Sequence, residues 1–184
     1  MTSNLTICLL SGGVDSAAAA SSFTASGAKQ AVFIDYGQPA AAHEAESARA
    51  LADYLGLPLA EVGLVGLQPG PGEIPGRNAL FVHVAMALAA GRPGMIVLGI
   101  HAGTGYRDCS PAFVRTMQDS LDFHSDGALR LHAPFLDLNK KQVFDLAVTQ
   151  GIPLHLTRSC EAATRSPCGR CRSCRDMELL GASS

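Results

Sequence analysis

Thr6-Ile7-Cys8-Leu9-Leu10-Ser11-Gly12-Gly13-Val14-Asp15-Ser16 is the stretch that decides how the rest of the chain is read. Thr6 to Leu10 is a short apolar run of buried-strand length. Ser11-Gly12-Gly13 ends it, and the alanine-rich stretch from Ser16 to Ala25 has good helix propensity. The order is strand, loop, helix. Glycines at such a junction let bare backbone N–H groups close on an anion at the helix N-terminus, and phosphate is the natural guest. Ser11 and Ser16 add hydroxyl donors. Asp15 on its own repels phosphate, so its suited partner is a metal ion that bridges phosphate oxygens. A tight turn with Ser or Asp as helix cap satisfies the same residues, and turn chemistry alone leaves both readings open. The loop lacks the Gly-Lys-Ser/Thr ending of a Walker A motif and does not match the dinucleotide G-x-G-x-x-G pattern.

Outward from this stretch, strand and helix patterns alternate. Ala31 to Ile34 predicts a second buried strand, and Ala40 to Leu55 a helix closed by Gly56 and Pro58. Leu59 to Leu64 predicts a third strand, Asn78 to Ala90 an apolar helix, Met95 to Ile100 a buried strand, and Pro111 to Phe123 a helix that Pro111 starts. Lys140 to Gln150 is the last full helix, stopped by Gly151 and Pro153. This alternation predicts an α/β fold, a Rossmann-like parallel sheet with helices on both faces. Gln68 to Pro75 holds three Pro and two Gly and is read as a loop, of the kind that borders active sites. The expected organisation is one domain over 1–155, a small cysteine-rich appendage over 156–180, and a tail over 181–184.

At 184 residues, 47% apolar and 16% charged, the chain has the size and composition of one ordinary globular domain. A formal net charge of −2 argues against a protein built to coat nucleic acid, which needs a basic excess. Small-molecule chemistry fits better. The apolar runs are short and the first one lacks a basic flank and a cleavage site. No signal peptide or membrane span is therefore expected, and the cytoplasm is the expected compartment.

Of six cysteines, four crowd into Cys160-x7-Cys168-x2-Cys171-x2-Cys174, while Cys8 and Cys109 stand apart. In a reducing compartment this clustering reads as metal ligation, and four thiolates in tetrahedral array suit a closed structural zinc site. An iron–sulfur cluster is the alternative, since thiolates hold those too. Arg158, Arg165, Arg170, Arg172 and Arg175 surround the sulfurs. They line an anion site, moderate the thiolate charge, or form a solvated basic face.

Ser11-Gly12-Gly13-Val14-Asp15-Ser16 resembles the Ser-Gly-Gly-x-Asp-Ser pyrophosphate loop of the N-type ATP pyrophosphatases. Further blocks narrow the family: Asp35-Tyr36-Gly37-Gln38, Ile74-Pro75-Gly76-Arg77-Asn78, Leu98-Gly99-Ile100, Tyr106-Arg107-Asp108-Cys109-Ser110-Pro111-Ala112-Phe113, and Pro134 to Lys140. With the final cysteines they look like the 7-cyano-7-deazaguanine synthase family of queuosine precursor biosynthesis, from Leu5 to about Arg175. The resemblance implies an adenine nucleotide alpha-hydrolase-like fold. It also implies ATP held by Leu10, Ser11, Gly12, Gly13, Val14, Asp15 and Ser16, Mg2+ with the nucleotide, and Zn2+ on the four cysteines. The implied reaction activates the carboxylate of 7-carboxy-7-deazaguanine with ATP, admits ammonia to form an amide, then activates and expels the amide oxygen to leave a nitrile.

No side-chain nucleophile is required, because positioning and charge neutralisation supply most of such catalysis. Asp15, Ser16, Arg77 and Lys140 are the residues expected to carry it. Arg77 is the first choice for a clamp on phosphate or carboxylate, since a guanidinium grips either with two parallel bonds. Lys140 is placed to neutralise charge on the α-phosphate. Asn78 and Asp108 are expected at the substrate, Asp108 facing the deazaguanine edge or capping a helix. Family analogy also suggests a homodimer.

The chain departs from the family where substrate is expected. Only Gly66 to Glu73 fills an interval that is longer in the family, Pro39 and three alanines follow Gln38, and the stretch from His101 to Gly105 is short. A relative that adenylates a deazaguanine or other acid and joins it to a different amine is the second reading. A tRNA-thiolating enzyme is weaker, because Cys8 and Cys109 do not form the paired cysteines it uses. A nucleotide-binding module without turnover is opposed by the intact glycine loop.

Overall fold

The computed structural model describes residues 4–23, 28–67, 69 and 74–181. The Gln68 to Pro75 loop, the Gly66 to Glu73 interval and the tail lie largely outside the described residues. Among the described residues, the strands are β1 (Leu5–Leu9), β2 (Ala28–Asp35), β3 (Leu59–Gly63), β4 (Gly94–Val97) and β5 (Leu129–His132). All pair in parallel, in the order β3-β2-β1-β4-β5. The helices are α1 (Val14–Ser22), α2 (Ala41–Leu55), α3 (Arg77–Ala89), α4 (Pro111–Ser125), α5 (Lys140–Thr149) and α6 (Arg172–Leu179).

Strand alternation sorts the core into two layers. Cys8, Ala31 and Phe33 point to one face, where α1, α2, α5 and Met177 of α6 cover them. Leu5, Ile7, Leu9, Val32 and Ile34 point to the other, under α3 and α4. Both faces of the central strands are thus apolar, as a parallel sheet covered on two sides requires. After β3 the chain crosses back past β1 to begin β4. The β1/β4 boundary is therefore the switch point of the sheet, where α/β folds open a crevice at the strands' carboxyl ends.

Helix α1 begins at Val14, earlier than the alanine run suggests, because Gly13 takes the extended N-cap conformation (φ −84°, ψ 163°). Asp15 and Ser16 consequently sit in its first turn. Ala17, Ala18 and Ala19 are almost fully buried, and these small side chains let α1 lie close to the sheet and to α5. Gly99 completes the approach: a Cβ there would lie 2.7 Å from the Asp15 carbonyl oxygen.

Helix α5 opens with a reciprocal cap. Asn139 Oδ1 accepts from the Gln142 N–H at 3.0 Å, and Gln142 Oε1 accepts from the Asn139 N–H at 2.9 Å. Asn139→Ala is expected to cost about 0.5–2 kcal/mol. In urea denaturation the midpoint should fall with the slope unchanged. An unchanged midpoint would show that Lys140, the next residue, is placed by packing alone.

Candidate active site

The glycine loop is shaped by close contacts. Gly12 has φ +84°, and a Cβ on it would meet the Glu44 carbonyl oxygen at 2.6 Å and Ser47 Cβ at 3.0 Å, so glycine is required. Its own carbonyl accepts from the Arg158 N–H at 2.8 Å, which ties the loop to the segment leading into the cysteines. Ser16 Oγ donates to the Gly13 carbonyl at 2.9 Å and accepts from the Ser11 N–H at 3.2 Å, with Ser11 Oγ donating to it at 3.2 Å. Ser16 thus braces the turn. The first turn of a helix leaves N–H groups without partners in the helix. Here that turn lines a cavity of about 790 Å3, together with Ser11 and Gly13.

Two elements converge on Asp15, the start of α5 and the segment after β4. Lys140 Nζ, at the start of α5, donates to both Asp15 oxygens at 2.8 Å. His101 Nε2 lies 3.6 Å from Asp15 Oδ2. His101 Nδ1 accepts from the Gly103 N–H at 3.1 Å, which assigns the ring proton to Nε2, on the Asp15 side. Burial pushes the Asp15 carboxyl up, but the polar contact with His101 and the Lys140 ammonium outweigh it and hold its pKa below the ordinary carboxylate value. A depressed carboxylate stabilises the fold above its unfolded pKa of about 3.9, and that contribution is lost as pH falls through the folded value. Asp15→Asn should flatten the fall of urea stability below about pH 4, and parallel profiles for variant and parent would remove Asp15 from the acid response.

The opposite wall is built by Arg77 and Asp108. Asp108 Oδ2 accepts from the Asn78 N–H at 3.3 Å, and Asn78 Nδ2 donates to the Asp108 carbonyl at 3.3 Å. Asp108 therefore caps α3, across the fold, while α4 is capped by Ser110, whose Oγ accepts from the Phe113 N–H at 3.2 Å. Asn78 is buried in this tie. Arg77 stands with its guanidinium carbon 5.9 Å from the Phe81 ring centroid, and its Nε is a buried nitrogen without a hydrogen-bond partner among the described residues. Burial works against the Arg77 charge, but Tyr36 and Asp108 more than offset it and its pKa is raised. Leu10 is buried at the cavity floor, its N–H donating to the Val32 carbonyl at 2.8 Å.

Asp15, Ser16, Arg77, Asn78, Asp108 and Lys140 all line the one cavity. Residue-by-residue reading of the sequence missed His101, Glu44 and Tyr36, which line it too. Burial raises the pKa of Glu44 despite the hydrogen bond from Gln38 Nε2 at 2.8 Å. A lone histidine two residues past Gly99, in the segment that follows β4, was the one available signal.

The sulfurs of Cys160, Cys168, Cys171 and Cys174 all lie within 4.8 Å of one another. Zn–S bonds of about 2.3 Å in tetrahedral array need sulfurs this close. The N–H groups of Cys168, Cys171 and Cys174 donate to the sulfurs of Cys160, Cys168 and Cys171 at 3.3, 3.3 and 3.4 Å. The N–H groups of Arg170 and Cys171 draw the Cys168 thiol down to about 6. The donor set fits a single metal ion. Arg158 spans the preceding loop, its guanidinium donating to the carbonyls of Arg165 at 3.0 Å and Ala162 at 2.9 Å. Arg172 lies 5.2 Å over the Tyr106 ring, so the cysteine segment forms a wall of the cavity.

A Ser-Gly-Gly-Val-Asp-Ser turn at the switch point of a parallel sheet ordered β3-β2-β1-β4-β5 defines a protein of the PP-loop class. A U34-tRNA thiolase from Methanococcus maripaludis, solved with its [4Fe-4S] cluster, shares this fold with a TM-score of 0.57 at 14% identity, over 97% of this chain and 63% of that one. The profile of the queuosine biosynthesis protein QueC matches residues 5–69 and 72–178, and the chain belongs to that family. The 7-cyano-7-deazaguanine synthase of Synechococcus sp. (strain CC9311) is 35% identical over 215 aligned positions, covering 99% of this chain and 95% of the relative. That of Prochlorococcus marinus (strain MIT 9312) is 38% identical over 110 residues, a match that takes in 55% of this chain and about half, 49%, of the relative's length. The 215 aligned positions exceed the 184 residues of this chain, so the Synechococcus protein carries segments absent here. The profile match is interrupted at 70–71, inside the Gly66 to Glu73 interval. Among the described residues no helix is long and apolar enough to cross a membrane.

Proposed function

We propose that this chain is an ATP-dependent C–N ligase that converts 7-carboxy-7-deazaguanine and ammonia to 7-cyano-7-deazaguanine. The observation that carries the reading is the meeting of the glycine loop with Lys140 and Arg77 in one cavity, in a member of the QueC family. The loop N–H groups hold the β- and γ-phosphates. Lys140 balances charge on the α-phosphate as the substrate carboxylate attacks phosphorus and pyrophosphate leaves. Arg77 holds the acid in line. Ammonia then displaces AMP to give the amide, whose oxygen is activated by a second ATP and leaves with AMP as the nitrile forms.

Mg2+ bound with the nucleotide would neutralise phosphate charge, and Asp15 is the carboxylate suited to it. Both Asp15 oxygens meet Lys140, so that role follows transfer of the ammonium to phosphate. The four cysteines hold Zn2+ as a structural ion in a 156–180 segment packed on the 1–155 domain. The enzyme works in the cytoplasm, as a homodimer, without membrane or nucleic acid.

The test combines zinc-loaded protein, ATP, magnesium, ammonium and 7-carboxy-7-deazaguanine, following pyrophosphate and product mass. Nitrile mass with pyrophosphate establishes the reaction. Pyrophosphate with only an adenylate, or an amide formed with another added amine, moves the assignment to a ligase with a different amine. Nucleotide binding with no pyrophosphate for any acid overturns the enzyme reading.

A further inference from the structure

Lys140 is placed to serve two anions, and the geometry shows it occupied with one. Its Nζ divides evenly between the oxygens of Asp15, 2.8 Å from each. A triphosphate entering the cavity competes for that ammonium. Once Nζ turns to phosphate, Asp15 becomes a half-buried carboxylate at the first turn of α1, beside incoming negative charge. A second donor already faces it. The His101 ring is buried, at 4% exposure, with the proton on Nε2 because Nδ1 accepts from Gly103. A side chain at Gly103 would crowd this arrangement, since a Cβ would lie 3.0 Å from His101 Nδ1 and 3.0 Å from the Lys140 backbone nitrogen. The 3.6 Å gap from Nε2 to Asp15 is too long for a full hydrogen bond while Lys140 holds both oxygens. A shift of under about 1 Å closes it.

Resting on the ATP-dependent reading above, we propose that His101 is a positioning residue that takes over Asp15 when Lys140 moves to the nucleotide phosphates. The handover keeps Asp15 fixed and hydrogen-bonded through Oδ2 as the ammonium is released, and leaves Oδ1 open for the Mg2+ role assigned to it above. The role assigned to His101 is exerted through Asp15, which its Nε2 faces. Its loss therefore weakens turnover more than nucleotide binding.

His101→Phe keeps the ring and removes both nitrogens, whereas His101→Gln restores an N–H at about the reach of Nε2. With the full-length zinc-loaded protein, His101→Phe should lower kcat for pyrophosphate release at least tenfold (about 1.4 kcal/mol) while changing the KM for ATP less than threefold. His101→Gln should recover most of that loss. Equal kcat for His101→Phe and parent, or no recovery in His101→Gln, overturns the proposal. NMR of the ring nitrogens adds a readout that needs no acid substrate. The Nε2–H tautomer is expected, with slower exchange of that proton after a non-hydrolysable ATP analogue binds. An Nδ1–H tautomer, or exchange unaffected by the analogue, also overturns it. Failure of the parent protein to release pyrophosphate with the deazaguanine acid would instead sink the substrate reading, leaving the NMR result to decide on His101.

Discussion

Lys140→Met lowers pyrophosphate release about 10²- to 10³-fold at saturating ATP, the range seen when one preorganised charge-stabilising donor is removed. Methionine keeps most of the side chain's length and its helix propensity, so α5 and its Asn139–Gln142 cap survive. What disappears is the ammonium that lies 2.8 Å from both Asp15 oxygens. The loss is felt twice. Charge that builds on the phosphates during attack has no mobile cation to meet it, and Asp15 keeps only His101 beside it. The second effect raises the Asp15 carboxyl, because burial already pushes it up and the Lys140 charge helps to hold it down. Lys140→Arg should recover little, since a planar fork cannot occupy a point-charge position between carboxylate and phosphate. A pyrophosphate-release assay checks this alongside circular dichroism melting. A rate for Lys140→Met within threefold of the parent, with the melt intact, would remove Lys140 from the chemistry.

The parts of this fold legible in the sequence are those with a local cause. Short apolar runs placed β1, β2 and β4 to within a few residues, and Gly56 and Pro58 marked the end of α2, where Gly56 adopts the left-handed conformation. The glycine loop stood out because Gly12 is dictated by backbone crowding that its neighbours reveal as a motif. Strand β5 was not anticipated: Leu129-Arg130-Leu131-His132 is four residues long, its pattern too short to separate from a loop. Helix α6 was hidden because its start depends on the cysteine cluster, with Cys171 sulfur accepting from the Cys174 N–H. The site divides the same way. Residue types suited to phosphate were visible at Ser11 to Ser16, Arg77 and Lys140. That Asp108 caps a helix thirty residues earlier in the chain, or that His101 turns its proton toward Asp15, is fixed by tertiary approach and leaves no periodic trace.

Loss of the metal is expected to disable the active site while the α/β body stays folded. Cys171→Ser tests this sharply, because serine can still cap α6 but is a poor substitute for a thiolate on zinc. The four sulfurs converge from a loop and from the first turn of α6, with little apolar burial to hold them beyond Cys160 and Met177. Metal binding thus supplies most of the order, on the order of 10 kcal/mol in small zinc modules. Without it the Arg158 anchor fails: its side chain loses the 162–165 carbonyls it gathers, and its N–H no longer steadies the Gly12 carbonyl. The glycine loop then relaxes, and Arg172 leaves its seat over Tyr106 on the cavity wall. Both Cys171→Ser and chelator-treated protein should bind ATP at least tenfold more weakly, about 1.4 kcal/mol by the usual conversion. Uptake should also release protons, because burial pushes the Cys174 thiol up to about 12 and a thiolate is needed at the metal. Metal analysis should return one zinc per chain, and isothermal titration in two buffers of different ionisation enthalpy should reveal the proton release. Full ATP affinity in metal-free protein would mean the cysteine segment only decorates the domain. Iron with acid-labile sulfide in place of zinc would convert the site to a cluster and reopen the thiolation reading.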